Sequence, residues 1–124
     1  MAYDIRVSDD FAKIILSGDV DLQTTADLKT EILKITDVAQ LEIEAGSVTY
    51  IDSSGVAVML LARQHCMANN ILLNVSAVSM AVYRVLEIAK LDKMLTIGKV
   101  IETADSGVMG LGNSDDQIAD DLLK

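Results

Sequence analysis

Three times along this 124-residue chain the spacing of apolar residues changes from two to three and four, and that change constrains the fold more than any other feature. A period of two belongs to a strand with one buried face, and a period near 3.6 to a helix with an apolar stripe. Tyr3, Ile5 and Val7 alternate with Asp4 and Arg6, and Ala12, Ile14 and Leu16 alternate with Lys13 and Ser17. These read as two strands, with Asp9-Asp10 supplying the turn of a hairpin. After Gly18-Asp19-Val20-Asp21 the period lengthens: Thr25, Leu28, Ile32 and Ile35 share one helical face, and Thr24 followed by Asp27 resembles a capping box.

The cycle then repeats twice. Leu41, Ile43 and Ala45 alternate with Glu42 and Glu44, and Val48 to Ile51 lead through Asp52-Ser53-Ser54-Gly55 into a second helix. Val56, Met59, Leu60, Arg63 and Met67 fall at helical spacing there, while Val58, Leu61 and Ala62 cover much of the other side, which predicts a helix largely buried in its first turns. Asn69-Asn70 ends it, and Leu72 to Val75 predict a strand. Ser79 caps a third helix carrying Val82, Val85, Leu86 and Ala89, and Leu95 to Ile97 predict a short last strand. Strands alternating with helices specify an α/β fold, and the polar alternate positions of the strands place the helices chiefly on one face of the sheet.

A chain of this length holds one domain, with no room for a second. Hydrophobic residues make up 51% of it and aromatics 3%, so the core is aliphatic. The longest uninterrupted apolar run, Val56 to Ala62, is seven residues, whereas a spanning helix needs about 20, so no membrane insertion is expected. The opening Met1-Ala2-Tyr3-Asp4-Ile5-Arg6 has no apolar h-region, and the lone Cys66 accords with a reducing compartment; the expectation is cytoplasm. A net charge of -9 repels phosphate backbones, which argues against direct nucleic-acid binding, while a partner with a basic face would be attracted.

Residues 104 to 124 differ in character from the rest. Gly107, Gly110 and Gly112 precede Asp115, Asp116, Asp120 and Asp121, an acidic, glycine-containing tail outside the domain of residues 1 to 103. Ile118, Ala119, Leu122 and Leu123 give that tail the pattern of one short amphipathic helix, and a frayed solubilising end is the alternative.

The stretch with the most chemical content is Val48-Thr49-Tyr50-Ile51-Asp52-Ser53-Ser54-Gly55-Val56, an apolar strand running into Asp-Ser-Ser-Gly and then a buried helix. Asp or Ser ahead of a helix satisfies its unpaired first N–H groups, but one such residue suffices. A second serine is left over, held on a rigid scaffold at the positive end of a helix dipole, where a phosphate finds partners. Phosphorylation there would add a charge of about -1.5 to -2 beside Asp52 and alter the docking of any partner over the loop. The same residues are also ordinary turn chemistry.

Two segments at this separation carry a resemblance. Leu16-Ser17-Gly18-Asp19-Val20-Asp21 before a helix, then Tyr50-Ile51-Asp52-Ser53-Ser54-Gly55-Val56, resemble the pattern of STAS domains in bacterial anti-sigma-factor antagonists, and Ala77 to Leu86 resemble that family's third-helix segment. The resemblance covers roughly residues 3 to 100. It implies a mixed sheet of four to five strands with helices on one face, no enzymatic activity and no cofactor or metal. Ser53 matches the family's phosphoacceptor, Asp52 the motif aspartate, and Asp21 an acidic residue of the kinase-binding surface. With Asp19, Ser54 and Gly55 they make up the expected partner-binding site. The implied partner is a serine kinase that is also an anti-sigma factor, bound by the unphosphorylated chain and released on phosphorylation, so that transcription is regulated indirectly; a phosphatase acting on Ser53 would complete the cycle. Met80 stands where the family usually has proline, and the tail lies outside the pattern. The alternative is a constitutive STAS binding subunit of a stress or chemotaxis signalling complex, or of a lipid-transport ABC system.

Other signals carry less. A hydrolase using Ser53 or Ser54 would need a base, and His65, the only histidine, lies about 15 Å along the second helix at 1.5 Å per residue. His65 and Cys66 give at most two ligands, too few for zinc. Gly107 to Gly112 lack the order and flanking elements of a dinucleotide fingerprint and read as a linker. Met59, Met67, Met80, Met94 and Met109 are scattered and read as core filling.

Overall fold

The computed structural model describes residues 2–102. The tail beyond residue 103, with its proposed linker and helix, lies outside them. The described chain runs β1 (Tyr3–Ser8), β2 (Phe11–Val20), α1 (Leu22–Leu33), β3 (Gln40–Ile51), α2 (Ser53–Ala68), β4 (Leu72–Ser79), α3 (Met80–Ile88) and β5 (Ile97–Ile101). The sheet follows sequence order, β1-β2-β3-β4-β5, antiparallel between β1 and β2 and parallel thereafter. It is the expected mixed α/β sheet, at the upper end of the expected strand number.

The hairpin pairs Ser8 with Phe11 and places Asp9 at a φ of 50°, a left-handed conformation that aspartate tolerates better than most residues. The three parallel crossovers each advance one strand in the same direction. Right-handed connections of that kind set all three helices on one face. Burial agrees. Ala12, Ile14 and Leu16 of β2, Leu41 and Ile43 of β3 and Val75 of β4 are buried against Leu28 and Ile32 of α1, Val58, Met59, Ala62 and Cys66 of α2, and Val82 and Leu86 of α3. The opposite face carries the half-exposed pair Lys13 and Glu42, 3.7 Å apart across β2 and β3, a contact worth little at such exposure.

Several boundaries differ from the pattern reading, each for a local reason. α1 starts at Leu22, two residues before the Thr24–Asp27 box, because Asp21 takes the N-cap position, and Ile35 is buried after the helix has ended. The buried stripe of α2 is Gly55, Val58, Met59, Ala62 and Cys66, so the face expected from Arg63 and Met67 is rotated. Leu95 is buried in the turn before β5, and the last strand lies two residues later than expected, at an edge where no face is fully buried. Met59 does fill the core, but Met67 and Met94 are exposed.

The one-sided core makes a contrast between neighbouring strands measurable. Ile43→Ala, at 2% exposure, should cost about 2–5 kcal/mol in urea unfolding. Asn74→Ala, on the exposed side of β4, should stay within about 0.5 kcal/mol.

Candidate functional site

Parallel strands that each run into a helix bring the helix N-termini to one edge of the sheet, and the carboxyl edge is where α/β proteins collect their ligands. Here β2, β3 and β4 deliver Asp21, Asp52 and Ser79 as the N-caps of α1, α2 and α3. Each turns the chain from extended to helical while its side chain accepts the first free N–H groups. Ser79 is buried, with its hydroxyl accepting from Val82 N–H at 3.2 Å. Asp21 and Asp52 are half-buried, so the open part of the edge lies at the ends of β2 and β3.

The two strands are locked together there. Val20 pairs with Ile51, and Asp52 N–H donates to the Val20 carbonyl at 3.3 Å. Gly18, at a φ of 65°, sits in an irregularity of β2 that a side chain would strain, and the register shifts between it and Asp19. The shift leaves Asp19 exposed, opposite Tyr50, with Thr49 Oγ1 donating to its carboxylate at 3.4 Å. Asp21 Oδ1 accepts from Thr24 N–H at 3.1 Å and from the Thr24 hydroxyl at 3.2 Å.

At the start of α2 the two serines have different fates. Asp52 Oδ1 accepts from Ser54 N–H at 2.9 Å, from Gly55 N–H at 3.3 Å and from the Ser54 hydroxyl at 2.5 Å. The Ser54 hydroxyl, then the backbone donors, hold the Asp52 carboxyl below the usual carboxylate range against a smaller opposing effect of desolvation. Ser54 is half-buried and engaged. Ser53 is exposed, and its hydroxyl makes no hydrogen bond within the described residues.

Gly55 is buried, so it shapes the site from beneath. A Cβ there would lie 2.5 Å from Ile51 Cγ1 and 3.1 Å from Val20 Cγ1. The glycine lets the first turn of α2 settle onto the ends of β2 and β3. The expected residues Asp19, Asp21, Asp52, Ser53 and Ser54 thus gather at one edge, with Gly55 under it. Two neighbours were not legible in the sequence: Leu22, 71% exposed after the Asp21 cap, and Tyr50, 52% exposed beside Asp19. At the irregular end of the pairing Thr49 and Tyr50 are both exposed.

His65 is committed elsewhere. Its Nε2 donates to the Ile35 carbonyl at 2.6 Å, and Asn69 Nδ2 lies 3.3 Å from its Nδ1, tying the last turns of α2 to the segment after α1. Cys66 is buried beside it, and burial pushes its thiol up to about 11. At this far end of α2, Arg63, Met67, Leu72 and Met94 line a groove of about 350 Å³. Among the described residues no helix is long and apolar enough to cross a membrane.

The fold and this edge define a small α/β domain with acidic helix caps around an open serine. A sequence model of the family described as Mlab, STAS domain matches residues 4–97, and the chain belongs to the STAS domain family. Solved structures share the fold at low identity. The anti-sigma factor antagonist SpoIIAA in its unphosphorylated form is 17% identical with a TM-score of 0.69, over 85% of this chain and 90% of that one. An anti-sigma factor antagonist from Mycobacterium paratuberculosis is 18% identical with a TM-score of 0.63, over 84% and 87%. The Bacillus cell fate determinant SpoIIAA in its phosphorylated form is 16% identical with a TM-score of 0.64, over 85% and 94%.

The seating of α2 can be tested at its base. Gly55→Ala should lower stability by about 1–3 kcal/mol, because the added methyl meets Ile51 and Val20 inside a packed junction. Thermal or urea unfolding reads the change, and an unaltered midpoint would show that the junction has room to spare.

Proposed function

We propose that this chain is a cytoplasmic anti-sigma-factor antagonist, a binding protein that holds a serine kinase acting as anti-sigma factor and is released when Ser53 is phosphorylated. The observation that carries the reading is the difference between the two serines: Ser53 is exposed with a free hydroxyl at the first position of α2, and Ser54 is engaged by Asp52. Asp19, Asp21 and Asp52 around it make the edge acidic, and Leu22 and Tyr50 offer apolar anchors. That surface suits a partner with a basic rim around an apolar recess.

A phosphate on Ser53 adds a charge of about -1.5 to -2 to an edge that already holds three carboxylates, and brings a bulky group into the middle of the docking surface. A coupling of about 1–3 kcal/mol between phosphate and partner weakens binding roughly 5- to 150-fold, enough to release one partner and free a sigma factor. A phosphatase acting on Ser53 resets the cycle.

The match to the STAS family fits a second reading as well, in which the chain is a constitutive STAS subunit of a signalling complex or of a lipid-transport ABC system. Pull-down with a serine kinase of the anti-sigma-factor class separates the two. Wild type and Ser53→Ala should retain the kinase, and Ser53→Asp should lose it, by roughly the same 5- to 150-fold factor in Kd. Equal retention by both variants, or co-purification with a transporter whatever stands at residue 53, would favour the constitutive subunit.

A further inference from the structure

We propose that Asp52 is a positioning residue that makes Ser53 the sole phosphoacceptor, by holding the neighbouring Ser54 hydroxyl against its own carboxylate. The inference rests on the reading of Ser53 as a kinase substrate and adds what decides between two adjacent, chemically identical side chains. A kinase that reaches Ser53 at the first position of α2 is one residue away from Ser54 at the second. Sequence context alone distinguishes them poorly, since both follow within two residues of the same aspartate.

The chemistry of transfer shows why the hydrogen bond matters. The serine oxygen attacks the γ-phosphorus of ATP, the bond from that phosphorus to the β–γ bridging oxygen breaks, ADP departs, and the hydroxyl proton passes to a base of the kinase. The Ser54 proton is already donated to Asp52 Oδ1, an oxygen that also holds the Ser54 and Gly55 N–H groups. Attack by Ser54 would need that charge-assisted bond broken. It would also bring the γ-phosphoryl group against an ionised carboxylate in a half-buried niche. Ser53 faces neither obstacle: its oxygen is exposed and has no proton acceptor within the described residues. The cap that starts α2 therefore also protects the second serine, and the doublet behaves as a single site.

The experiment pairs kinase assays with a readout that needs no kinase. With a serine kinase of the anti-sigma-factor class and ATP, peptide mass spectrometry should find phosphate on Ser53 in wild type and almost none on Ser54 in Ser53→Ala. Adding Asp52→Gly to Ser53→Ala should raise Ser54 phosphorylation by about tenfold or more, the rate equivalent of removing one charge-assisted hydrogen bond. Glycine is itself an accepted N-cap, so α2 keeps its start, and the Ser53 rate of Asp52→Gly alone measures what the lost carboxylate costs in docking, against which the Ser54 rate is read. Asp52→Asn, which keeps the acceptor without its charge, should fall between. Ready phosphorylation of Ser54 in Ser53→Ala with Asp52 intact would overturn the proposal, as would a silent Ser54 in the double variant while Asp52→Gly is phosphorylated.

Failure of wild type to accept phosphate would instead remove the kinase reading itself. The hold on Ser54 is then decided by the pH titration of the Asp52 carboxyl carbon in NMR. Ser54→Ala should move its midpoint up toward the ordinary carboxylate range and Ser53→Ala should leave it in place. Identical midpoints in both variants would overturn the hold whatever any kinase does.

Discussion

Asp52 Oδ1 gathers two backbone N–H groups and one hydroxyl at the point where β3 ends and α2 begins. That three-donor contact depends on the strand arriving in register with β2, which the Val20–Ile51 pair and the Asp52 N–H bond to Val20 secure. It also depends on Gly55, whose missing side chain lets the first turn of α2 sit directly on those two residues. Core packing, backbone pairing and helix capping thus converge on a few atoms. The exposed hydroxyl of Ser53 stands on a platform that has little freedom to move.

The same edge concentrates three of the chain's acidic residues. An acidic N-cap is favoured by the positive end of a helix dipole, so Asp21 and Asp52 stabilise α1 and α2 while leaving carboxylates near the surface. In the proposed function, structure and recognition draw on the same side chains. Asp19, which caps nothing, adds to the field from the irregular end of β2. A phosphate on Ser53 would enter a field already negative, which is why one modification can have a large effect on a basic partner.

Most of the architecture was legible because period and polarity agree. Ile14 and Leu16 lie between Lys13 and Ser17, Leu41 and Ile43 alternate with Glu42 and Glu44, and Thr25, Leu28 and Ile32 fall on one helical stripe; all are buried where the pattern places them. The Asp-Ser-Ser-Gly junction was legible because one cap suffices for a helix, but the sequence points to Ser54 as that cap, and the structure gives the role to Asp52, with Ser54 donating to it. Less was legible where pairing departs from regularity. The register shift near Gly18 and Asp19 exposes Tyr50, and no pattern of apolar residues encodes it. α2 is apolar nearly all round, so its buried stripe could be set only by what α1 and the sheet present to it. β5 is an edge strand with no buried face, and its position is decided by pairing with β4 from Val75 to Ser79.

The claim beneath all of this is that partners meet the protein at the carboxyl edge of its sheet, where α1 and α2 begin. Mapping amide chemical-shift changes on addition of a serine kinase of the anti-sigma-factor class tests it most directly. The account predicts that the largest changes fall on Asp19, Asp21, Leu22, Tyr50 and Ser53, while Met67, Leu72 and Met94 around the far groove stay still. Changes concentrated at that far groove, with the Ser53 edge unmoved, would contradict it.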